Sequence, residues 1–339
     1  MSGGPGAGAE PGPAPGTTGN GPVRTIFFGS GSFAVPILEA VAADPRLRLV
    51  AVVTRPDRPA GRSATLQRTP VAELAARLAV PLLQPPVLAT QEAVTDIQRR
   101  RPELGILADY GRIVPREVLE LPALGILNVH PSLLPRHRGA SPIQATIADG
   151  DVRAGVSIID MDEGVDTGPI VAVTEWPLTG RERAPEVEAR AARAGAELLL
   201  RALGSWLDQS AVVEPQEAMR ASTTRPLRRE DGRLEPSRSA EELERRVRAY
   251  DPWPGTFLET DAGRVIVHEA TVAPSRADDV PGMLVEQDQR LALATHHGRL
   301  VLERVQREGR DATSGEEFLR GQRRLVGSRV KRPGVEGST

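Results

Sequence analysis

The chain has no cysteine, which removes disulfides, thiolate metal sites and thiol nucleophiles together. Aromatics supply only 3% of its 339 residues, so a core must rest on Leu, Val, Ile and Ala within an ordinary 40% hydrophobic content. No apolar run approaches the roughly 18 residues of a membrane span. Net charge is also small, at −2, so a polyanion would have to meet a local basic patch rather than a global field. Residues 1–22 are Gly, Pro and Ala with almost no large apolar side chain, and they lack the cationic start and apolar stretch of a signal peptide. They read as a disordered tail. Together these absences point to the cytoplasm.

The length exceeds the usual single core and predicts two or three domains. Arg24–Gly29 is a short apolar run ending at glycine, and reads as a buried strand. Further strands are expected at 49–54, 80–83, 104–108, 125–129, 155–159 and 170–173. Helical patterns lie between them, and a long Ala-, Leu- and Arg-rich helix spans 181–207. Alternation of this kind implies βαβ units and an α/β fold whose sheet is covered on both faces. Residues 23–207 form this first domain and 208–230 a polar linker. Residues 231–332 change character: a charged helix at 240–249 precedes short runs at 265–267, 270–272, 283–285, 291–294 and 300–302. Short strands with frequent turns predict a small antiparallel β-barrel. Residues 333–339 read as a frayed tail.

Gly29-x-Gly31-x-x-Ala34 matches the glycine part of a dinucleotide fingerprint, which also needs an acid at the end of the second strand. That strand ends Val52-Val53-Thr54-Arg55, so a tight strand-to-helix turn is the better reading. The chemistry concentrates instead between Asn128 and Asp166. Alternation places Asn128 and His130 on one strand face. A stiff loop, Pro131–Gly139, follows, and Met161–Gly168 supplies a second, acidic loop. An Asn, a His and an Asp suit acyl transfer to an amine. The carboxamide donates to a tetrahedral oxyanion. The imidazole, kept cationic by the carboxylate, stabilises the same oxygen and protonates the departing nitrogen. The incoming amine is itself the nucleophile. Singly, each residue has a structural explanation. His137, between two arginines, reads as an exposed loop residue, and Asp162 and Glu163 have no neighbouring His to make a metal site.

These segments resemble the methionyl-tRNA formyltransferase family. Asn128-Val129-His130-Pro131-Ser132-Leu133-Leu134-Pro135 with Arg138–Gln144, and Met161–Gly168, are similar to its two signatures. The resemblance extends to Arg55–Arg62, Arg246–Gly255 and Gly315–Gly321, covering roughly residues 24–330. Departures are Gly29-Ser30-Gly31-Ser32-Phe33 for Gly-Thr-Pro-x-Phe, Asp109 for a common Ala, and Ser63-Ala64-Thr65 where Gly and lysines are common.

The resemblance implies a Rossmann-like formyltransferase domain with a parallel-rich sheet, followed by an OB-like antiparallel barrel. It implies 10-formyltetrahydrofolate as co-substrate with no metal, and initiator methionyl-tRNA as acceptor. Asn128, His130 and Asp166 would be catalytic. Leu107, Ala108, Asp109, Tyr110, Gly111, Ser132, Leu133, Leu134, Pro135 and Val165 would hold folate. Arg58, Arg62 and Arg68 would meet tRNA, with Arg320, Arg323 and Arg324 from a C-terminal run that also holds Arg329, Lys331 and Arg332 without an intervening acid. No membrane partner is expected, and the chain is expected to be a monomer. The alternatives are a formyl transferase or hydrolase acting on a small metabolite, and a non-catalytic RNA-binding protein on the same fold.

Overall fold

The computed structural model describes residues 21–60 and 65–331. Nearly all of the expected N-terminal tail, Arg62 with Gly61, Ser63 and Ala64, and residues 332–339 lie outside the described residues.

Seven strands form the first sheet: β1 (Val23–Gly29), β2 (Leu47–Val53), β3 (Leu82–Leu83), β4 (Leu104–Ala108), β5 (Ile126–His130), β6 (Arg153–Asp160) and β7 (Ile170–Pro177). Their order is β7-β6-β5-β4-β1-β2-β3. The first five run parallel, whereas β6 lies antiparallel to both β5 and β7. The central strands are buried on both faces, which is why β1 and β4 read as continuous apolar runs rather than alternating ones. One face packs on α1 (Ala34–Ala43), α2 (Pro70–Arg77) and the long α6 (Ala184–Leu207), through Phe27, Ile106, Leu127 and Val129, and α5 (Pro142–Ala148) adds Ile143 and Ile147 to the same core. The other, carrying Ile26, Phe28, Leu107 and Ile126, packs on Ile97 of α3 (Gln91–Arg99) and Val118 of α4 (Arg116–Leu119). Gly155 of β6 lets Leu133 lie against the strand: a Cβ there would stand 2.3 Å from its Cδ2.

The C-terminal part is an antiparallel sheet of six strands: β8 (Thr256–Thr260), β9 (Gly263–Ala273), β10 (Leu284–Gln287), β11 (Arg290–Ala294), β12 (Arg299–Arg307) and β13 (Ala312–Ser314). They run β8-β9-β12-β11-β10, with β13 on β12. The two short runs expected at 265–267 and 270–272 are one strand. Its register shifts on either side of Glu269, so the polar His268-Glu269 pair interrupts the alternation without ending the strand. The sheet curls into a half-barrel, and a tail segment spans the gap between its edges. Leu284 N donates to Ser328 O and Val330 N to Gly282 O on one side, and Lys331 N to Glu259 O on the other.

One helix belongs to both cores. In α7 (Ala240–Ala249), Ala240, Leu243 and Val247 join the barrel core, while Ala249 and the following Tyr250 join that of the first sheet. Arg183 adds a polar tie at 3.0 Å to Asp251 and 3.0 Å to the His268 carbonyl.

Candidate active site

Strand alternation sets the site. On β5, Leu127 and Val129 point into the core under α1 and α6, while Ile126, Asn128 and His130 share the opposite face. The α3–α4 layer covers that face at Ile126. Beyond it, Asn128 and His130, each 5% exposed, open onto a cavity of about 440 Å³ roofed by Met161–Asp166. Its far wall is the β1–α1 turn at Phe33 and the stretch Asp109–Val114 after β4.

Asp166 sits at φ +53°, a left-handed conformation that Asp tolerates better than most side chains. Gln216 fixes this backbone by donating to Asp166 O at 2.9 Å and to Gly168 O at 2.7 Å. The carboxylate then accepts Asn128 Nδ2 at 3.0 Å and Gly139 N at 2.7 Å, and lies 3.5 Å from His130 Nδ1. On its other side the imidazole places Nε2 3.1 Å from the carbonyl oxygen of His137. A carbonyl only accepts, so Nε2 carries a proton. Nδ1 lies 3.5 Å from the Asp166 carboxylate, a charge contact and not a hydrogen bond, so a proton there stays available to a group in the cavity. Asn128 uses one N–H on Asp166 and keeps a second to donate. The arrangement can therefore present hydrogen-bond donors, one of them cationic, to an oxygen that gains negative charge.

Of the residues read as folate-binding, Leu107, Asp109, Tyr110, Gly111 and Val165 line the cavity. Ala108, Ser132, Leu133, Leu134 and Pro135 line none of it. Ala108 is fully buried in the sheet. The other four fasten the loop after β5: Ser132 donates to Arg136 O at 2.7 Å, and Ser157 joins Ser132 O to Leu134 N. The expectation of an exposed His137 is corrected. It is 3% exposed, with its ring 2.8 Å from Asp151. Asp162 is occupied locally, accepting Gly164 N at 3.0 Å and Thr167 Oγ1 at 2.6 Å.

Asp109 is an exposed residue of the cavity wall, although protein crowds its carboxylate within the cleft. Burial, with Glu188 nearby, raises its pKa to about 6, partly countered by Arg55. Its carboxylate lies where a side chain on residue 31 would be: a Cβ on Gly31 would stand 1.7 Å from Asp109 Oδ2. Close approach therefore accounts for the second glycine of the β1–α1 turn, alongside the absent ribose-binding acid. Glu188 reaches the same wall from α6 and accepts from Ser32 at 2.5 Å.

The basic residues lie elsewhere. Arg58 begins a two-stranded ribbon, Arg58–Ala60 with Thr65–Gln67, and the exposed Arg68 follows it. Arg62 lies outside the described residues. Arg320, Arg323 and Arg324 are exposed at the end of α8 (Gly315–Gly321) and just after it.

Gln216, Ser222 and Thr224 went unread in the sequence. All three lie in the segment taken as a polar linker, yet Thr223–Thr224 pairs with Arg138–Gly139, and Thr224 Oγ1 accepts from Ser141 N at 3.0 Å. These contacts join residues 48 or more positions apart, and local spacing carries no signal for them. Glu188 was legible only as one polar position on an amphipathic helix.

Residues 23–203 match the family model described as formyl transferase, and residues 226–323 match that of the formyl transferase C-terminal domain. The chain is 40% identical over 309 residues to a methionyl-tRNA formyltransferase of Roseiflexus castenholzii, covering 91% of this chain and 99% of that one. It is 37% identical over 300 residues to one from Legionella pneumophila, covering 88% and 95%. Among solved structures, the N-formyltransferase of Helicobacter canadensis, in complex with folinic acid and dTDP-3-aminofucose, aligns with a TM-score of 0.60. That alignment has 15% identity and covers 83% of this chain and 98% of that one. HypX of Aquifex aeolicus aligns at TM-score 0.57 and 16% identity over 94% of this chain, which spans about half (52%) of HypX. At such identities the structural likeness concerns the fold alone.

Proposed function

Because this chain belongs to the methionyl-tRNA formyltransferase family, we propose that it moves the formyl group of 10-formyltetrahydrofolate onto the α-amino group of methionine esterified to initiator tRNA. The observation that carries the reading is the convergence of Asn128, His130 and Asp166 on one cavity. The neutral amine attacks the formyl carbon, a C–N bond forms, and the carbonyl oxygen becomes an oxyanion. Asn128 and the His130 cation donate to it. Collapse breaks the bond to the folate nitrogen, which takes a proton from His130 as it leaves, and the proton shed by the attacking nitrogen restores the His130 cation. Asp166 keeps that ring charged and orients Asn128 at the same time.

In this reading the folate ring system lies along Leu107, Asp109–Gly111 and Val165. The acceptor arm of the tRNA meets Arg58, Arg62 and Arg68, and Arg320, Arg323 and Arg324 beside the half-barrel, through phosphate contacts. A cytoplasmic monomer suits this role. Among the described residues no helix is long and apolar enough to cross a membrane.

The test is formylation of methionine on charged initiator and elongator tRNAs, side by side, with 10-formyltetrahydrofolate. Initiator-selective turnover by the parent, abolished in His130→Ala, is the expected result. Activity on a free small amine or on water, with none on charged tRNA, would replace the proposal with the small-metabolite alternative.

A further inference from the structure

His137 is buried, sits at φ +58°, and takes no part in the chemistry above. Non-glycine residues seldom hold that conformation, although His does so more often than most. Three contacts hold it here. Its backbone N donates to Ser222 Oγ at 2.9 Å. Its Nε2 lies 2.8 Å from Asp151 Oδ2, and its Nδ1 3.4 Å from the Ser222 hydroxyl. Asp151 is itself held by Arg136 at 2.6 Å. The charged groups around the ring are thus Arg136, Asp151 and, at 4.0 Å, Asp149. The product of this scaffold is the direction of one peptide carbonyl, the His137 oxygen that meets His130 Nε2.

We propose that the His137–Asp151 pair is a positioning device for His130. By fixing the residue-137 carbonyl against Nε2, it selects the ring orientation in which Nδ1 faces Asp166 and the reacting carbon. His137 and Asp151 touch no substrate. Without their anchor the left-handed turn relaxes, the carbonyl swings away, and the ring is free to rotate. The effect on turnover rests on the function proposed above, but the effect on the ring does not.

The experiment therefore reads both. The protein has five histidines, few enough for ring-nitrogen resonances to be assigned after ¹⁵N-histidine labelling. In the parent, His130 should show a protonated Nε2. In Asp151→Ala, with the His137 carbonyl no longer fixed against it, that N–H signal should shift and exchange faster with water. kcat for formylation of charged initiator tRNA should fall about tenfold, with KM for either substrate changed less than twofold. Asp151→Asn keeps the shape and one acceptor and should lie between, which guards against loss of fold in the alanine variant. An unaltered His130 spectrum in folded Asp151→Ala, or a loss confined to KM, overturns the proposal. A moved spectrum in a protein whose parent does not formylate tRNA keeps the positioning device and removes only the assigned reaction.

Discussion

Asp166→Asn isolates what the carboxylate contributes, because Asn keeps its shape and also tolerates φ +53°. Alanine would confound lost charge with backbone strain. Two opposite charges 3.5 Å apart interact by about 5 kcal/mol at an effective dielectric near 20. The variant forfeits this for the His130 cation. It also creates a donor conflict. Asp166 now accepts both Asn128 Nδ2 and Gly139 N, whereas a carboxamide offers one oxygen and an NH₂. One of those donors meets another donor, at about 1–3 kcal/mol, and if it is Asn128 the carboxamide also turns away from the reacting oxygen. Not all of the charge term reaches the transition state, since the second N–H of Asn128 can still donate to the oxyanion. A loss of about 4 kcal/mol in the barrier remains, or roughly 10³ in kcat. Single-turnover formylation at saturating folate and tRNA measures this step without product release. The KM for tRNA should change little, because Asp166 faces the β5 side chains rather than the arginines assigned to tRNA. A folded Asp166→Asn enzyme within tenfold of the parent would mean that the carboxylate does not charge the ring during turnover, and the catalytic reading of the cluster would fail.

Three further outcomes follow from other contacts. Gly31→Ala should cost about 1–3 kcal/mol in denaturant unfolding, because its Cβ lands on Asp109 Oδ2. Adding Asp109→Ala should recover at least half of that, and strictly additive costs would disprove the collision. Asp109 has a folded pKa of about 6, raised by burial from the ordinary carboxylate value of 3.8. The parent therefore loses stability as pH climbs through 6, while below about pH 4 both states hold the proton. Asp109→Asn should accordingly melt higher than the parent at pH 7 and lose that advantage at pH 4; the opposite trend would refute the sign. Replacing Arg320, Arg323 and Arg324 together with Ala should weaken tRNA binding and flatten its log K–log[salt] slope by about 2–3 while leaving folate affinity intact. An unchanged slope would place the tRNA elsewhere.

Much of this architecture was legible because it is written in local pattern. The buried parallel strands announce themselves as apolar runs ending at Gly29 and Ala108, and the period of two on β5 separates Asn128 and His130 from Leu127 and Val129. The reversal of β6 was not legible. Its apolar run, Ala154–Ile159, looks the same whichever way the strand points. The burial of His137 was hidden for a related reason. Arg136 and Arg138 flank it in sequence, but the residues that bury and bind it, Asp151 and Ser222, come from 14 and 85 positions away. Charge in the immediate neighbourhood says where a residue is soluble and nothing about what folds over it.

The reversal of β6 is also what assembles the site. A parallel strand beside β5 would send the chain out beyond His130, at the carboxyl end. Running the other way, β6 ends with Asp160 paired to Leu127, and Met161 N donates back to Ile126 O. The acidic loop therefore starts low on β5 and must climb across the open side of the strand to reach β7. That climb carries Asp166 over Asn128 and His130, where the α3–α4 layer has stopped. The donors are then fixed on a strand, the rigid part of the fold, while the carboxylate that organises them comes from a loop clamped by Gln216. Such a division holds the donors to strand geometry and gives the roof an anchor of its own. Weakening the clamp with Gln216→Ala should thus lower kcat through Asp166 while leaving β5 and its core as stable as before. A drop in global stability matching the drop in rate would show instead that loop and sheet fold as one unit.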